Sequence, residues 1–176
     1  HWRLGHGEID LMKAIEVSCN PYFVNLGLTY GGQRIASLAR DIGFTRAAEF
    51  GGDFKTQSGT ISSESELRMA TEVANLSFGQ GRLTATPIQV AQMICTVANG
   101  GYAVTPRLVE GYTQDGATIE EHTVAYSPVQ VFSKSTADIL RESLVNNVEN
   151  GSGKLAKPVY VGSGRKNASV RTGNLI

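Results

Sequence analysis

Charge of one sign, cysteine and long apolar runs are all scarce in this chain. Its 176 residues carry 16 Lys and Arg against 16 Asp and Glu, so the formal net charge is zero. That balance excludes the basic face of a nucleic-acid binder and the polybasic patch of a membrane-surface module. Charged residues total 18%, below the roughly 25% of an average soluble domain. No run of ~18 apolar residues occurs, so no segment reads as a bilayer-spanning helix. Two cysteines, Cys19 and Cys95, are too few for a disulfide scaffold. With His1, His6 and His122 they show no metal-ligand spacing; no metal and no cofactor is expected. No charged-then-apolar signal segment opens the chain, which begins at His1 rather than Met. We expect an excised or processed piece of about one domain's length.

What is plentiful is glycine, 20 of 176 residues, above the average usage of ~7%. These glycines punctuate helical patterns. Ile9, Met12 and Ile15 share one helical face. Asn20-Pro21 reads as a cap followed by a first helical residue, and Phe23, Leu26 and Leu28 lead to Gly31-Gly32. Ile35, Leu38, Ala39 and Ile42 follow the amphipathic template and stop at Gly43. Residues 45–63 have no period and read as a long loop. A helix is predicted over Glu64–Asn75. Another, nearly apolar all round and so expected to be buried, is predicted to run from Thr86-Pro87 to Ala98, with Cys95 in the core. Tyr102–Tyr112 and Thr118–Ala125 read as short strands or extended loops. Residues 133–148 are helical again, with Ser135 a candidate cap and Ala137, Leu140, Leu144 and Val148 on one face, ending at Gly151-Ser152-Gly153. Lys166–Thr172 has the pattern of a strand.

Few groups here suggest chemistry. Gly151-Ser152-Gly153-Lys154 is not a phosphate loop, because Leu155 follows the lysine and no strand precedes it. Asn75-Leu76-Ser77 and Asn167-Ala168-Ser169 match the glycosylation triplet only formally. Ser18-Cys19-Asn20 is more informative: a hydroxyl and a carboxamide two residues apart, at a helix junction, can project the same way. Such a pair can pass a proton and hold an amide.

The surrounding string, Gly5-His6-Gly7-Glu8-Ile9-Asp10-Leu11, then Ala14-Ile15 and Ser18-Cys19-Asn20-Pro21-Tyr22-Phe23, resembles the monofunctional (class B) penicillin-binding protein transpeptidases. Phe78-Gly79-Gln80-Gly81, then Thr84-Ala85-Thr86-Pro87-Ile88-Gln89, continues the resemblance in register. So do Ala98-Asn99-Gly100-Gly101, Pro106, Leu108-Val109, Val148, Gly151-Ser152-Gly153 and Ala156. The likeness implies an α+β chain, mostly helical: a partial penicillin-binding transpeptidase / serine β-lactamase-like fold. Its helical lobe would cover about 1–150, and a Gly-rich connection and third-motif strand about 151–176. The family uses Ser-x-x-Lys, then Ser-x-Asn, then Lys-Thr-Gly. Its serine attacks the D-Ala-D-Ala carbonyl of a peptidoglycan stem peptide, and β-lactam antibiotics acylate the same group. By this likeness Ser18 is a proton relay and Asn20 binds the substrate amide, with Cys19 pointing away.

The likeness breaks in two places. Only 17 residues precede Ser18, too few for a Ser-x-x-Lys helix. The formal match Ser163-Gly164-Arg165-Lys166 sits in a Gly-rich turn and is set aside, so the nucleophile is expected outside the chain and the chain alone is expected to be inactive. The third motif aligns with Lys166-Asn167-Ala168-Ser169, giving Lys166, Asn167 and Ser169 as substrate-binding candidates. The other register uses Arg171-Thr172-Gly173; Lys166 is preferred because glycines precede it. The resemblance implies a cell-membrane-anchored bacterial protein with its catalytic domain on the extracytoplasmic side, partnered by divisome or elongasome proteins and by no nucleic acid. The alternative is a non-catalytic penicillin-recognising sensor or pseudoenzyme, favoured by Asn167 and Ala168. A β-lactamase fits less well, since no candidate for its deacylating carboxylate is evident.

Overall fold

Six α-helices account for most of the order in the computed structural model, which describes residues 5–48, 50, 54–108, 111–117, 120–121 and 129–157. They are α1 (Leu11–Glu16), α2 (Asn20–Tyr30), α3 (Gly32–Ile42), α4 (Ala70–Ser77), α5 (Pro87–Ala98) and α6 (Lys134–Asn150). A hairpin pair, β1 (Gly111–Tyr112) and β2 (Glu120–Glu121), is antiparallel with Gly111 opposite Glu121. Among the other described residues of the predicted strands Tyr102–Tyr112 and Thr118–Ala125, Tyr102 forms a bridge to Gln130. The strand predicted over Lys166–Thr172 lies outside the described residues.

Helices α2, α3 and α4 form the core with the 3-10 turn Glu66–Arg68. Ala36, Leu67, Val73 and Leu76 are buried together, and Ile35, Ile61 and Leu83 pack against them. Gly27 lets α2 lie directly on α4, because a methyl there would run into the Ser77 hydroxyl. The buried face of α3 is set by Ala36 and Ala39, whereas Leu38, predicted to face inward, is 43% exposed.

Several boundaries differ from the sequence pattern for local reasons. The helix predicted over Glu64–Asn75 is split: Ser63 and Glu66 cap each other around the 3-10 turn, and Met69 is extended (φ −85°, ψ 123°) before α4 begins. Ser133, not Ser135, caps α6 by accepting from Thr136 N–H. Helix α5 is not buried all round. It meets α3 and α6 and buries Gln89, Thr96 and Val97, leaving Val90, Ala91 and Cys95 exposed. Its N-terminus begins at Thr86-Pro87 as expected and carries a capping box of Thr86 and Gln89. Gln89 does more than cap. Fully buried at 1% exposure, its Nε2 donates to the carbonyls of Phe44 (3.0 Å) and Arg46 (2.7 Å). The Thr-Pro-x-Gln segment therefore fastens α5 to the end of α3, and that part of the sequence signature is architecture.

Candidate active site

The junction between α1 and α2 is built on a closed helix end. Asp10 caps α1 by accepting from Lys13 N–H at 2.8 Å. At the other end Ser18 N–H bonds to Ile15 C=O (3.3 Å) and Cys19 N–H to Ala14 C=O (2.9 Å). This pair is the Schellman arrangement, which places one residue in the left-handed region and is commonly completed by glycine. Here that residue is Ser18, φ 52°, the one non-glycine residue with positive φ among the described residues. A side chain in that region costs roughly 1–2 kcal/mol. Cys19 is buried and extended, and it is Cys19, not Asn20, that occupies the N-cap position of α2, with no side-chain cap bond. The turn uses Ser18 and Cys19 to close α1, so Asn20 becomes the first helical residue and Pro21 the second.

Ser18 and Asn20 both stand on the wall of an open hollow of about 1040 Å³, which His6, Glu8, Tyr22 and Asn25 also line. Both are exposed; Cys19 between them is buried but also borders the hollow. The structure thus brings the predicted hydroxyl and carboxamide to one concavity. Lys166, Asn167 and Ser169, with the alternative Arg171, lie outside the described residues, so their place relative to Ser18 is not described. Among the described residues no group of three His, Cys, Asp or Glu is arranged to hold a metal ion, and no helix is long and apolar enough to cross a membrane.

Sequence reasoning missed the support beneath Ser18. Its Oγ lies 2.6 Å from the Oγ of Ser152, just past the end of α6. Asn147, in the last turn of α6, donates through Nδ2 to the carbonyls of Ile15 and Glu16, each at 2.9 Å, and to Ser152 Oγ at 3.0 Å. Ser152 N–H also donates to Glu16 C=O at 2.9 Å. The carbonyls left over at the end of α1 are therefore satisfied from α6. Gly151 is required for this approach: a methyl there would run into the Glu16 carbonyl. The sequence marks Gly151-Ser152-Gly153 only as a helix terminator; its contact to Ser18 spans 134 positions, beyond the reach of any local pattern. Nearby, Lys13 and the amide of Asn146 (2.7 Å) both bond the Glu16 carboxylate, and these bonds hold its pKa below the ordinary carboxylate range.

Comparison with known proteins points to one family. The family model described as "Penicillin binding protein transpeptidase domain" matches residues 1–169. "Stage V sporulation protein D" of Bacillus subtilis is 31% identical over 158 residues, covering 88% of this chain and 24% of that protein. "Peptidoglycan D,D-transpeptidase MrdA" of Acinetobacter baumannii is 28% identical over 176 residues, covering 93% of this chain and 25% of that protein. A solved structure of penicillin-binding protein A from Mycobacterium tuberculosis, a penicillin G acyl-enzyme complex, superposes with TM-score 0.71 at 26% identity, over 86% of this chain and 33% of that one. The chain spans about a quarter of the length of these curated relatives.

Proposed function

The chain belongs to the penicillin-binding protein transpeptidase family, and on that premise we propose that it supplies the second-motif wall of a peptidoglycan D,D-transpeptidase site. The observation that carries this reading is Ser18 held in a left-handed conformation beside the hollow it shares with Asn20. In the proposed reaction a serine outside these 176 residues attacks the penultimate D-Ala carbonyl of a stem peptide. The peptide C–N bond breaks, the leaving D-Ala amine takes a proton, and an acyl-enzyme remains for a neighbouring strand's amine. Splitting one displacement into two steps is covalent catalysis, and it needs the proton moved at the right moment. Ser18 is the relay for that proton and Asn20 the carboxamide that holds the stem peptide's backbone. Lys166 and Ser169, with Asn167 between them, bind the terminal carboxylate end. A β-lactam acylates the same serine. The whole protein is anchored at the outer face of a bacterial membrane.

Two features support the reading: relatives bear the name peptidoglycan D,D-transpeptidase, and a similar solved structure is a penicillin G acyl-enzyme. The test is the intact mass of the full-length gene product after exposure to benzylpenicillin, followed by peptide mapping. We expect one stoichiometric adduct on a serine outside residues 1–176 and none on the isolated chain. Absence of any adduct on the full-length protein, or an adduct on Ser163, overturns the proposal. The sensor or pseudoenzyme reading is favoured by Asn167 and Ala168 standing where the family pattern has Thr-Gly. It predicts no transfer of a D-Ala-D-Ala pentapeptide to an amine acceptor by the full-length protein.

A further inference from the structure

Ser152 touches the Ser18 hydroxyl and Asn147 the carbonyls of Ile15 and Glu16; neither has a part in the reaction outlined above, and their geometry fixes more than a helix end. Asn147 Nδ2 faces the carbonyls of Ile15 and Glu16. Carbonyls can only accept, so the amide cannot be turned round, and its nitrogen is the atom that also meets Ser152 Oγ at 3.0 Å. Nδ2 carries two hydrogens for these three oxygens, and Ser152 Oγ shares in them as a hydrogen-bond acceptor. Either hydroxyl can donate across the 2.6 Å contact with Ser18 Oγ; we take Ser152, whose Oγ already accepts from Asn147, as the donor. In this chain of donors each bond polarises the next. Ser18, accepting from Ser152, keeps its own O–H free to point toward the hollow.

The backbone holds this arrangement in place. Ser152 N–H is bonded to Glu16 C=O, and the N–H groups on either side of it, Gly151 (2.9 Å) and Gly153 (3.2 Å), are both bonded to Asn147 C=O. A methyl on Gly153 would strike Asn147 Oδ1, as one on Gly151 would strike the Glu16 carbonyl. Ser152 is therefore presented between two residues that leave room for nothing larger. The left-handed Ser18 supplies the other half of the contact: its strained backbone sets the direction of Cβ, and Ser152 sets the rotamer beyond it.

We propose that Ser152, oriented by Asn147, is a positioning residue that holds the Ser18 hydroxyl as an acceptor and aims its proton into the site. This rests on the reading of Ser18 as the proton relay. The test is the second-order rate of acylation of the full-length gene product by a fluorescent penicillin, with thermal melting alongside. Ser152→Val, which replaces the hydroxyl with methyl groups and matches the shape of the threonine control, is expected to slow acylation about 3–10-fold, the effect of one hydrogen bond on a rate, with melting little changed. Ser152→Thr, which keeps the hydroxyl, is expected to restore the wild-type rate. In a Ser18→Ala background, Ser152→Val is expected to cost nothing further, because it acts only through Ser18. Should valine unfold the junction, Ser152→Ala carries the same expectations. Wild-type acylation by the valine or alanine variant, or an equal loss with and without Ser18, overturns the proposal while leaving the function standing. A wild-type protein that takes no penicillin contradicts the function itself and this inference with it.

Discussion

The ends of α3 and α1 close on the same pair of backbone bonds. At α3, Gly43 N–H bonds to Arg40 C=O (3.0 Å) and Phe44 N–H to Ala39 C=O (2.9 Å); at α1, Ser18 and Cys19 make the matching bonds to Ile15 and Ala14. Each end buries the residue that follows, Phe44 in one case and Cys19 in the other. Each is also gripped by an amide from a distant helix, Gln89 at the first and Asn147 at the second. The difference is the residue in the left-handed position. At α3 it is Gly43 (φ 108°), which bears that conformation without strain; at α1 it is Ser18 (φ 52°). The same local device serves fold alone in one place and presents a hydroxyl to a hollow in the other. Strain kept where glycine is the easier choice is characteristic of functional sites.

That contrast is open to being broken. Gln89→Ala removes a fully buried side chain and its bonds to the carbonyls beyond α3. It is expected to destabilise the full-length protein by about 3 kcal/mol, while the protein that remains folded is acylated at the wild-type rate. Asn147→Ala, only half-buried, is expected to cost less, about 1–2 kcal/mol, and to slow acylation as well. Thermal melting and penicillin acylation measured on both variants decide it: if Asn147→Ala leaves acylation untouched, the end of α1 is as purely architectural as that of α3.

The left-handed positions themselves give a smaller effect. Gly43→Ala should lose about 1 kcal/mol, because alanine resists positive φ. By the same reasoning Ser18→Gly should melt higher than Ser18→Ala, by about 1 kcal/mol of stability. Equal melting of those two variants removes the strain argument. Smallest is the contribution of Glu16 beside the junction. Its folded pKa is lowered by Lys13 and Asn146, so its stabilising effect is present above the unfolded value of about 4.3 and is lost as pH falls through the lowered folded value. Melting followed across that acid range should show a shallower decline in Glu16→Gln than in wild type; parallel curves contradict the assignment.

Local chemistry made much of this legible beforehand. The Thr86-Pro87 helix start, Gly43 and the amphipathic period of α3 are all short-range signals, and the helices they mark are present. Ser18 and Asn20 were legible as a pair because a junction between two helix patterns left them two residues apart. What stayed hidden depends on distant partners. Gln89 reaches across 45 positions to Phe44, and Ser152 across 134 to Ser18, and no periodicity records either. Helix α5 is less buried than its pattern predicts because an apolar pattern tells how much surface a helix could bury, not how many neighbours it meets. The exposed Cys95 has the same cause. The Glu64–Asn75 boundary failed because its capping pair closes a 3-10 turn first.

The most direct test is the acylation rate of the full-length Ser18→Gly variant with a fluorescent penicillin. Glycine fits the left-handed position and removes the hydroxyl together with its CH2. A folded protein whose acylation falls on the order of 10²–10⁴-fold, as for loss of a proton-transfer group, is the predicted result. Acylation at the wild-type rate would contradict the account, leaving Ser18 as a helix terminator no different in kind from Gly43.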